Sequence, residues 1–382
     1  MGPKYLFVIN SLLAGGAERS LVDLIPRIRE QDITPIIVCL HRRDGGFETE
    51  ARAAGMDVRV LPGNSLFAKG LSLRRLIKQE RPNLVYTALF DSDVLGRLAS
   101  IGIDVPVMTN LANTAYDEAR QGDPNVDRFR LRIVRWIDGI TARRLTDHFH
   151  AISQAVKDST VSELRVSPEK ITVVKRGRDA ARLGVRSQAR RMEMRDRLRL
   201  DANAEVVLAV GRQEYQKGHR HLIDAFVRVS ESRPQARLLI AGREGHATKD
   251  IAKRISDLGV HDLVTVLGHR DDVADVMATA DLFVFPSLYE GLGGALIEAM
   301  ALGLPVVASD LPALREVVQE GENADLVPPG DAHSLALAIF GLLDDSDRRL
   351  RYAEKSLQIF SSEFQADVAT ERMLDLLAHI AR

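Results

Sequence analysis

Short apolar runs alternate with amphipathic runs along the whole chain. In the first part, the β-type runs are Tyr5–Ile9, Thr34–Leu40, Asp57–Leu61, Leu84–Thr87, Val105–Thr109 and His148–Ile152. Several of them are apolar on both faces, as are the strands of a buried parallel sheet. Helical patterns such as Ala17–Arg29 and Leu71–Gln79 lie between them. This alternation predicts a parallel α/β sheet with right-handed crossovers.

Residues 176–204 interrupt the alternation, because they are polar, rich in arginine and poor in β-forming residues. We interpret them as a linker with a short surface helix. A second series of β-type runs covers Val206–Val210, Arg237–Ala241, Leu263–Leu267, Leu282–Phe285 and Pro305–Ala308. The prediction is an α/β fold of two facing Rossmann-like domains, 1–178 and 179–362, with a ligand cleft between them. The helical pattern in 363–382 has no strand after it, and we expect it to pack back on the first domain.

Composition agrees with a globular protein of two domains. The chain has 382 residues, of which 45% are hydrophobic and 27% are charged. The net charge of −1 argues against a nucleic-acid partner. The single cysteine, Cys39, lies in an apolar run and is expected to be a buried thiol in a reducing, cytoplasmic compartment. We find no signal-peptide pattern, and no apolar run approaches the ~20 residues that span a bilayer.

The most informative motif is FPSLYEGLGGALIEAMA, residues 285–301. A strand pattern, a glycine turn and a helix N-terminus together predict a site for an anionic ligand. Glu298, in the helix, can accept hydrogen bonds from a vicinal diol such as ribose, and Glu290, in the turn, can accept them from a sugar. The amides expected to face the diphosphate or the sugar belong to Leu292, Gly293 and Gly294. Together these features predict a nucleotide-sugar site, although Glu298 has the alternative role of stabilising its own helix N-terminus.

A second motif is VGRQEYQKGHRHLIDAF, residues 210–226. Arg212 follows a strand pattern and Lys217 precedes a helical one, so both are predicted at the carboxyl edge of the second sheet. A guanidinium and an ammonium on one loop can hold a diphosphate from two sides. The alternative is a pair of solvated basic side chains. His219 and His221 flank the loop and are expected at the surface.

Gly15 and Gly16 lie between the first strand pattern and the first helical pattern. There they would let the backbone turn tightly and approach a ligand at a helix N-terminus. The motif is neither the dinucleotide fingerprint nor a P-loop, and a purely structural turn is the alternative.

Metal binding is not expected. Asp91 and Asp93 have the spacing of a metal-binding carboxylate pair, but we expect them to cap a helix over Val94–Ser100. The chain has neither a helical histidine pair nor a cysteine cluster.

The basic run Arg128–Leu145 carries an apolar stripe at Phe129, Ile133, Trp136 with Ile137, and Ile140. We interpret it as a surface helix packed on the core, with peripheral contact to an anionic membrane as the alternative.

Several motifs in one order resemble a known family. They are GGAE at 15–18, GR and KG within 211–218, EGLGGALIEAMA at 290–301 followed by LPVVASDLPALREVV, and the segment 150–179. Together they resemble the retaining glycosyltransferases of family 4, which have the GT-B fold. The resemblance implies that Arg212 and Lys217 bind the donor diphosphate, Glu298 its ribose and Glu290 its sugar. It also implies that Gly15 and Gly16 approach the donor and acceptor, and that the loop of His269 and Arg270 holds the base.

Two departures from the family pattern concern the site. Asn113 lies where the family often has a histidine near the sugar, and it could donate a hydrogen bond to a sugar hydroxyl. The usual Asn-Gly-Val-Asp is replaced by Arg176-Gly177-Arg178-Asp179, which adds basic charge suited to an anionic acceptor.

The implied function is retaining, metal-independent transfer of a hexose to an acceptor hydroxyl. The donor would be a nucleoside diphosphate sugar, UDP being preferred over GDP, and no further cofactor is expected. The acceptor would be a sugar or a lipid-linked sugar in cell-envelope polysaccharide or glycolipid synthesis, at the inner membrane face. Arg212, Lys217 and Glu290 are the candidate catalytic residues. A nucleotide-sugar epimerase and a non-catalytic nucleotide-sugar-binding protein are the alternatives.

Overall fold

The computed structural model describes residues 2–13, 15–43 and 46–381, which form two compact units. The first unit contains Met1–Tyr116, Asp127–Arg176 and Val368–Arg382, and the second contains Asp117–Val126 and Gly177–Asp367. The chain thus leaves the first unit after Arg176, beside the boundary that the sequence predicts at residue 178. The short excursion of Asp117–Val126 has no counterpart in the sequence-based assignment.

The first unit is built on a parallel sheet with the strand order β3-β2-β1-β4-β5-β6-β7. Its strands are β1 Lys4–Ile9, β2 Thr34–Cys39, β3 Asp57–Val60, β4 Leu84–Ala88, β5 Val107–Leu111, β6 His148–Ala151 and β7 Ile171–Val173. The helices up to residue 164 are α1 Gly16–Arg29, α2 Glu48–Ala53, α3 Leu66–Glu80, α4 Phe90–Ala99, α5 Glu118–Gln121, α6 Arg128–Leu145 and α7 Gln154–Leu164. Of these, α5 belongs to the second unit.

The second unit has a parallel sheet with the order β10-β9-β8-β11-β12-β13. Its strands are β8 Glu205–Val210, β9 Ala236–Ala241, β10 Val264–Gly268, β11 Leu282–Phe285, β12 Val306–Ser309 and β13 Ala324–Val327. The later helices are α8 Ala180–Leu183, α9 Gln188–Arg197, α10 His219–Ser232, α11 Thr248–Leu258, α12 Val273–Thr279, α13 Gly294–Ala301, α14 Pro312–Arg315, α15 Ala332–Asp344, α16 Ser346–Glu363 and α17 Ala366–Ile380. The predicted α/β class with two parallel sheets is confirmed.

Differences between the predicted and the observed strands concern β5, β7 and β13 in particular. Strand β5 begins at Val107 rather than Val105, because Pro106 has no N–H for the ladder. Strands β7 and β13 were not predicted; both end their sheets, and both are too short to give a periodic signal.

The arginine-rich segment 176–204 is packed against the second unit rather than forming a free linker. Arg191 and Arg195 of α9 both bind the carboxylate of Asp281, at 2.6 and 2.9 Å. Arg190 binds Asp275 at 2.6 Å. The segment is polar because its arginines form ion pairs with the domain, and α9, which is largely exposed, is the short surface helix that the sequence predicts.

The core of the first unit includes the last helix. Met373, Leu376 and Leu377 of α17 are buried in the same apolar cluster as Ile9 and Ile25. Among the residues that the structure describes, we find no helix with the length and apolar character needed to cross a membrane.

A buried polar network joins α4 and α6. Arg97, which is 1% exposed, donates to Asp138 at 2.6 Å, and Tyr116 donates to the other oxygen of Asp138 at 2.8 Å. Asp91 and Asp93 lie inside α4, which begins at Phe90, so the expectation that they cap a later helix was wrong. Burial raises the pKa of Asp93 to about 7, although Arg97 opposes the shift.

The packing of α17 predicts a large effect of Leu377→Ala. Leu377 is fully buried, so its truncation should lower the free energy of unfolding by about 2–5 kcal/mol in urea denaturation. Leu350→Ala, at a leucine that is 64% exposed, is the matched control and should change it by less than about 0.5 kcal/mol. Equal effects of the two substitutions would contradict the assignment of α17 to this core.

Asp93 predicts a dependence of stability on pH. Its pKa is higher in the folded protein than in the unfolded chain, so its contribution to stability falls as the pH rises from about 4 to about 7. Asp93→Asn removes this loss. The variant should therefore gain about 1–4 kcal/mol relative to the wild type between pH 4 and pH 8, measured by urea denaturation. A constant difference across this range would refute the shifted pKa.

Candidate functional site

The candidate site of the second unit lies at the carboxyl edge of its sheet. Strand β8 lies between β9 and β11 in the sheet. From β8 the chain adds β9 and β10 toward one edge of the sheet, and it then adds β11, β12 and β13 toward the other edge. Arg212 and Lys217 follow β8, and Glu290 follows β11. The carboxyl ends of adjacent parallel strands meet at a topological switch point, which is where open α/β sheets bind ligands.

Lys217 and Glu290 form an ion pair at this switch point. Their side chains are only 15% and 8% exposed, and Ser287 Oγ donates to the same oxygen of Glu290 at 3.0 Å. The aliphatic part of Lys217 crosses Gly211, and its Nζ lies 5.2 Å from the centre of the Phe285 ring. The structure thus brings together the residue predicted for the diphosphate and the residue predicted for the sugar.

Gly218 explains how Lys217 reaches this position. It has φ 62°, and a Cβ there would overlap the carbonyl oxygen of Pro286. Only glycine meets both conditions. The short 3-10 helix Tyr215–Lys217 can therefore turn directly into α10 beside the β11 loop.

The N-terminus of α13 provides the second part of the site. Gly293, with φ 94°, precedes its first residue, Gly294, and Leu292 is buried just before the turn. The first N–H groups of a helix have no partner inside the helix and carry partial positive charge. The structure thus contains the strand, the glycine turn and the helix N-terminus that the motif predicts, and their role in anion binding stays a prediction.

Glu298 of α13 is held by Arg178, which the sequence marks only as added basic charge and not as a partner of Glu298. Its Oε1 accepts from Arg178 Nε at 2.7 Å, and the Arg178 side chain is only 10% exposed. A Cβ on Gly294 would overlap Arg178 Nη2, so the guanidinium lies against the first turn of α13. The departure of RGRD from the family pattern marked this position, but its partner lies 120 residues away.

Three other predicted residues of the second unit make contacts separate from these pairs. Arg212 is half-exposed, with its nearest carboxylate, Glu214, at 3.9 Å. His269 is exposed after β10 and lies 3.4 Å from Asp271. Arg270 makes two hydrogen bonds, of 2.7 and 2.6 Å, to Asp272. Within the described part of the chain, no hydrogen bond or ion pair connects these three side chains with Lys217 or Glu298.

His219 is buried, so its expected place at the surface was wrong. Burial, with a smaller effect of Lys217, lowers the pKa of His219 to about 3. The imidazole is therefore neutral at physiological pH and adds no charge beside the ion pair. His221 is half-buried.

Gly15 and Gly16 begin α1 at the carboxyl end of β1, as the sequence predicts. Gly15 has an extended backbone, with φ −161°, so the tight turn expected of it is not observed. A Cβ on Gly15 would instead overlap the Glu18 carboxylate, and Arg176 Nη1 lies 3.5 Å from where a Cβ on Gly16 would be. Ala14, the residue before Gly15, lies outside the described residues.

Asn113 follows β5 in the first unit. Its Oδ1 accepts from the Thr114 N–H at 2.9 Å, which leaves the side-chain amide to donate. The neighbouring Asn110 is buried, and its Oδ1 has no partner among the residues described. In that same part of the chain, no group of three or more acidic, histidine or cysteine side chains could hold a metal ion.

The basic helix α6 presents apolar side chains to solvent. Phe129 and Trp136 are each 66% exposed, and Ile133 is 44% exposed. The buried residues of α6 are instead Asp138, Gly139, Thr141 and Ala142. The interpretation of the apolar stripe as packed on the core was therefore wrong for its three exposed members.

Comparison with known proteins gives matches to both halves of the chain. Residues 14–182 match the model of glycosyltransferase family 4, and residues 190–358 match the model of group 1 glycosyl transferases. LpsE of Rhizobium meliloti, a lipopolysaccharide core biosynthesis glycosyltransferase, is 35% identical over 48% of this chain and 53% of its own. The α-1,3-galactosyltransferase of Escherichia coli that uses UDP-Gal and α-D-GlcNAc-diphosphoundecaprenol is 26% identical over 72% of this chain and 70% of its own. The chain spans about half the length of several curated relatives that it matches.

Among solved structures, Anabaena HepE in complex with UDP-glucose has a TM-score of 0.86 and 25% identity, and the match covers 98% of this chain and 99% of HepE. The two sheets, the strand–glycine–helix motif and these matches lead to one assignment: the chain belongs to the group 1 glycosyltransferases with the GT-B fold.

Proposed function

We propose that this chain transfers a hexose from a nucleoside diphosphate sugar to an acceptor hydroxyl, with retention at the anomeric carbon. The observation that carries the proposal is the Lys217–Glu290 ion pair at the switch point between β8 and β11. It combines a cation for a diphosphate with a carboxylate for sugar hydroxyls. UDP is the proposed nucleotide in preference to GDP, because HepE has been solved with UDP and with UDP-glucose.

In the proposed reaction, the bond between the anomeric carbon and the leaving phosphate oxygen breaks. The acceptor oxygen bonds to the same face of that carbon, and its proton passes to a phosphate oxygen. Arg212 and Lys217 stabilise the growing diphosphate charge together with the amides at the start of α13, which is the largest catalytic contribution expected. Since Arg212 and Lys217 supply the positive charge that stabilises the leaving diphosphate, we propose that the reaction needs neither a metal ion nor a cofactor.

The remaining predicted contacts are part of the same proposal. Glu298 binds the ribose diol and Glu290 the donor sugar, while Asn113 donates to a sugar or acceptor hydroxyl. The proposed donor contacts through backbone or loop geometry are Gly15, Gly16, His269, Arg270, Leu292, Gly293 and Gly294.

The proposed acceptor is a sugar or a lipid-linked sugar of a cell-envelope polysaccharide or glycolipid. Two relatives support this choice: LpsE is named for lipopolysaccharide core biosynthesis, and the E. coli enzyme for a diphosphoundecaprenol-linked acceptor.

Lys217 and Glu298 provide the main test. Lys217→Ala should lower kcat about 10²–10³-fold, because it removes charge from the leaving group. Glu298→Ala should raise the donor KM about tenfold or more, because it removes hydrogen bonds to the ribose. Donor consumption and product formation are measured with UDP-glucose, UDP-galactose and a lipid-linked acceptor, after circular dichroism has verified folding. Lys253→Ala, at an exposed lysine of α11, is the control; unchanged turnover in both test variants refutes the proposal.

The same assay separates the alternatives. An epimerase converts the donor sugar when no acceptor is present. A non-catalytic binding protein binds the donor, as calorimetry would detect, but turns over none of it.

We also propose that α6 contacts an anionic membrane surface. Its exposed Phe129, Ile133 and Trp136 recur at helical spacing, and exposed arginines lie near both ends of the helix, at 128, 130, 132, 143 and 144. Apolar side chains that insert at the interface, flanked by cations that meet lipid phosphates, are typical of peripheral amphipathic helices. The surface fits a lipid acceptor at the inner membrane face.

The double substitution of Phe129 and Trp136 by serine should weaken binding to vesicles of phosphatidylglycerol and phosphatidylcholine about tenfold or more. Cosedimentation measures the effect, and turnover of a water-soluble acceptor should not change. Leu337→Ser, at a leucine of α15 that is 60% exposed, is the matched control. Wild-type protein that fails to sediment with anionic vesicles refutes this proposal.

A further inference from the structure

Arg178 places a cation at the positive end of a helix. Its guanidinium lies against Gly294, the first residue of α13, where unpaired N–H groups already carry partial positive charge. Such an arrangement costs free energy unless negative charge accompanies it. Glu298 supplies one negative charge at 2.7 Å, and a bound anion would supply more.

The hydrogen bonds of Arg178 leave room for a further ligand. Nε donates to Glu298 Oε1, and Nη1 donates to the carbonyl of Gly177 at 2.9 Å. Nη2, which lies over the start of α13, donates to no residue in the described part of the chain. Likewise, Glu298 Oε2 accepts from none of the described residues. An arginine has five N–H donors, so this pair keeps both donor and acceptor capacity.

The backbone holds Arg178 in place. Its N–H donates to Phe364 O at 2.8 Å, and its carbonyl accepts from Ala366 N at 3.0 Å. Gly177 lies so close to this segment that a Cβ would come within 2.5 Å of Gln365 O and 2.7 Å of Ala366 Cα. The side chain is therefore preorganised, which reduces the entropy lost on binding.

We propose that Arg178 is a third cation for the donor diphosphate, positioned by Glu298. The inference rests on the proposed function, because it assumes a nucleoside diphosphate at the start of α13. Glu298 orients the guanidinium through Oε1 and binds the ribose through Oε2, while the free N–H groups of Arg178 bind a phosphate oxygen. One carboxylate thus couples recognition of the ribose to recognition of the diphosphate.

The test compares UDP with uridine, which has the same ribose and base but no phosphate. Isothermal calorimetry is performed on the wild type, Arg178→Met and Arg178→Lys. Arg178→Met should weaken UDP binding about tenfold or more and change uridine binding less than about twofold. Arg178→Lys keeps the charge and should recover part of the loss. Arg190→Met, which breaks the Arg190–Asp275 ion pair on α9, is the matched control and should change neither affinity.

Three outcomes overturn the inference. Equal weakening of UDP and uridine would mean that Arg178 only orients Glu298. Unchanged or tighter binding of UDP would mean that the guanidinium does not contact the diphosphate. If wild-type protein binds neither UDP nor GDP, the proposed function fails and this inference fails with it. If the wild type binds UDP and Arg178→Met does not change the affinity, only the role of Arg178 is refuted, and the proposed function stands.

Discussion

Two cation–carboxylate pairs at the carboxyl edge of the second sheet are the constraint on which the site depends. Lys217 binds Glu290 between the β8 and β11 loops, and Arg178 binds Glu298 at the start of α13. Buried or half-buried charges are tolerated only when they are paired. Pairing therefore keeps the cations suited to a diphosphate beside the carboxylates suited to hydroxyls, in one small region of a parallel α/β unit.

The pairs depend on backbone geometry that only glycine provides. Gly218 and Gly293 have positive φ angles, and a side chain at Gly218 would overlap Pro286. At Gly294 the absence of a side chain leaves space for the Arg178 guanidinium. The glycines thus determine how closely the charged side chains approach the backbone. This close approach is what places the Arg178 guanidinium beside the N-terminus of α13.

The first unit differs in how it uses charge. Its carboxyl edge carries Asn113 and the buried Asp93, whose pKa burial raises, and its helix α6 exposes aromatic side chains among arginines. These features are suited to binding hydroxyl groups and to contact with a surface that is both charged and apolar, and they are not suited to binding a diphosphate. The different chemistry of the two units is consistent with the division of donor and acceptor roles in the proposed reaction.

The sequence by itself determined the α/β class, most strands, and the placement of Lys217, Glu290 and Glu298 on loops and a helix after strands. Buried parallel strands carry continuous apolar runs, and glycine turns have strict local requirements, so both are visible without a structure. Edge strands β7 and β13 are too short for such a pattern. Only the tertiary structure decided the pairing of Arg178 with Glu298, the burial of Asp93 and His219, the exposure of the α6 stripe and the ion pairs of α9. Each of these depends on which distant residues pack together, and local sequence does not specify that.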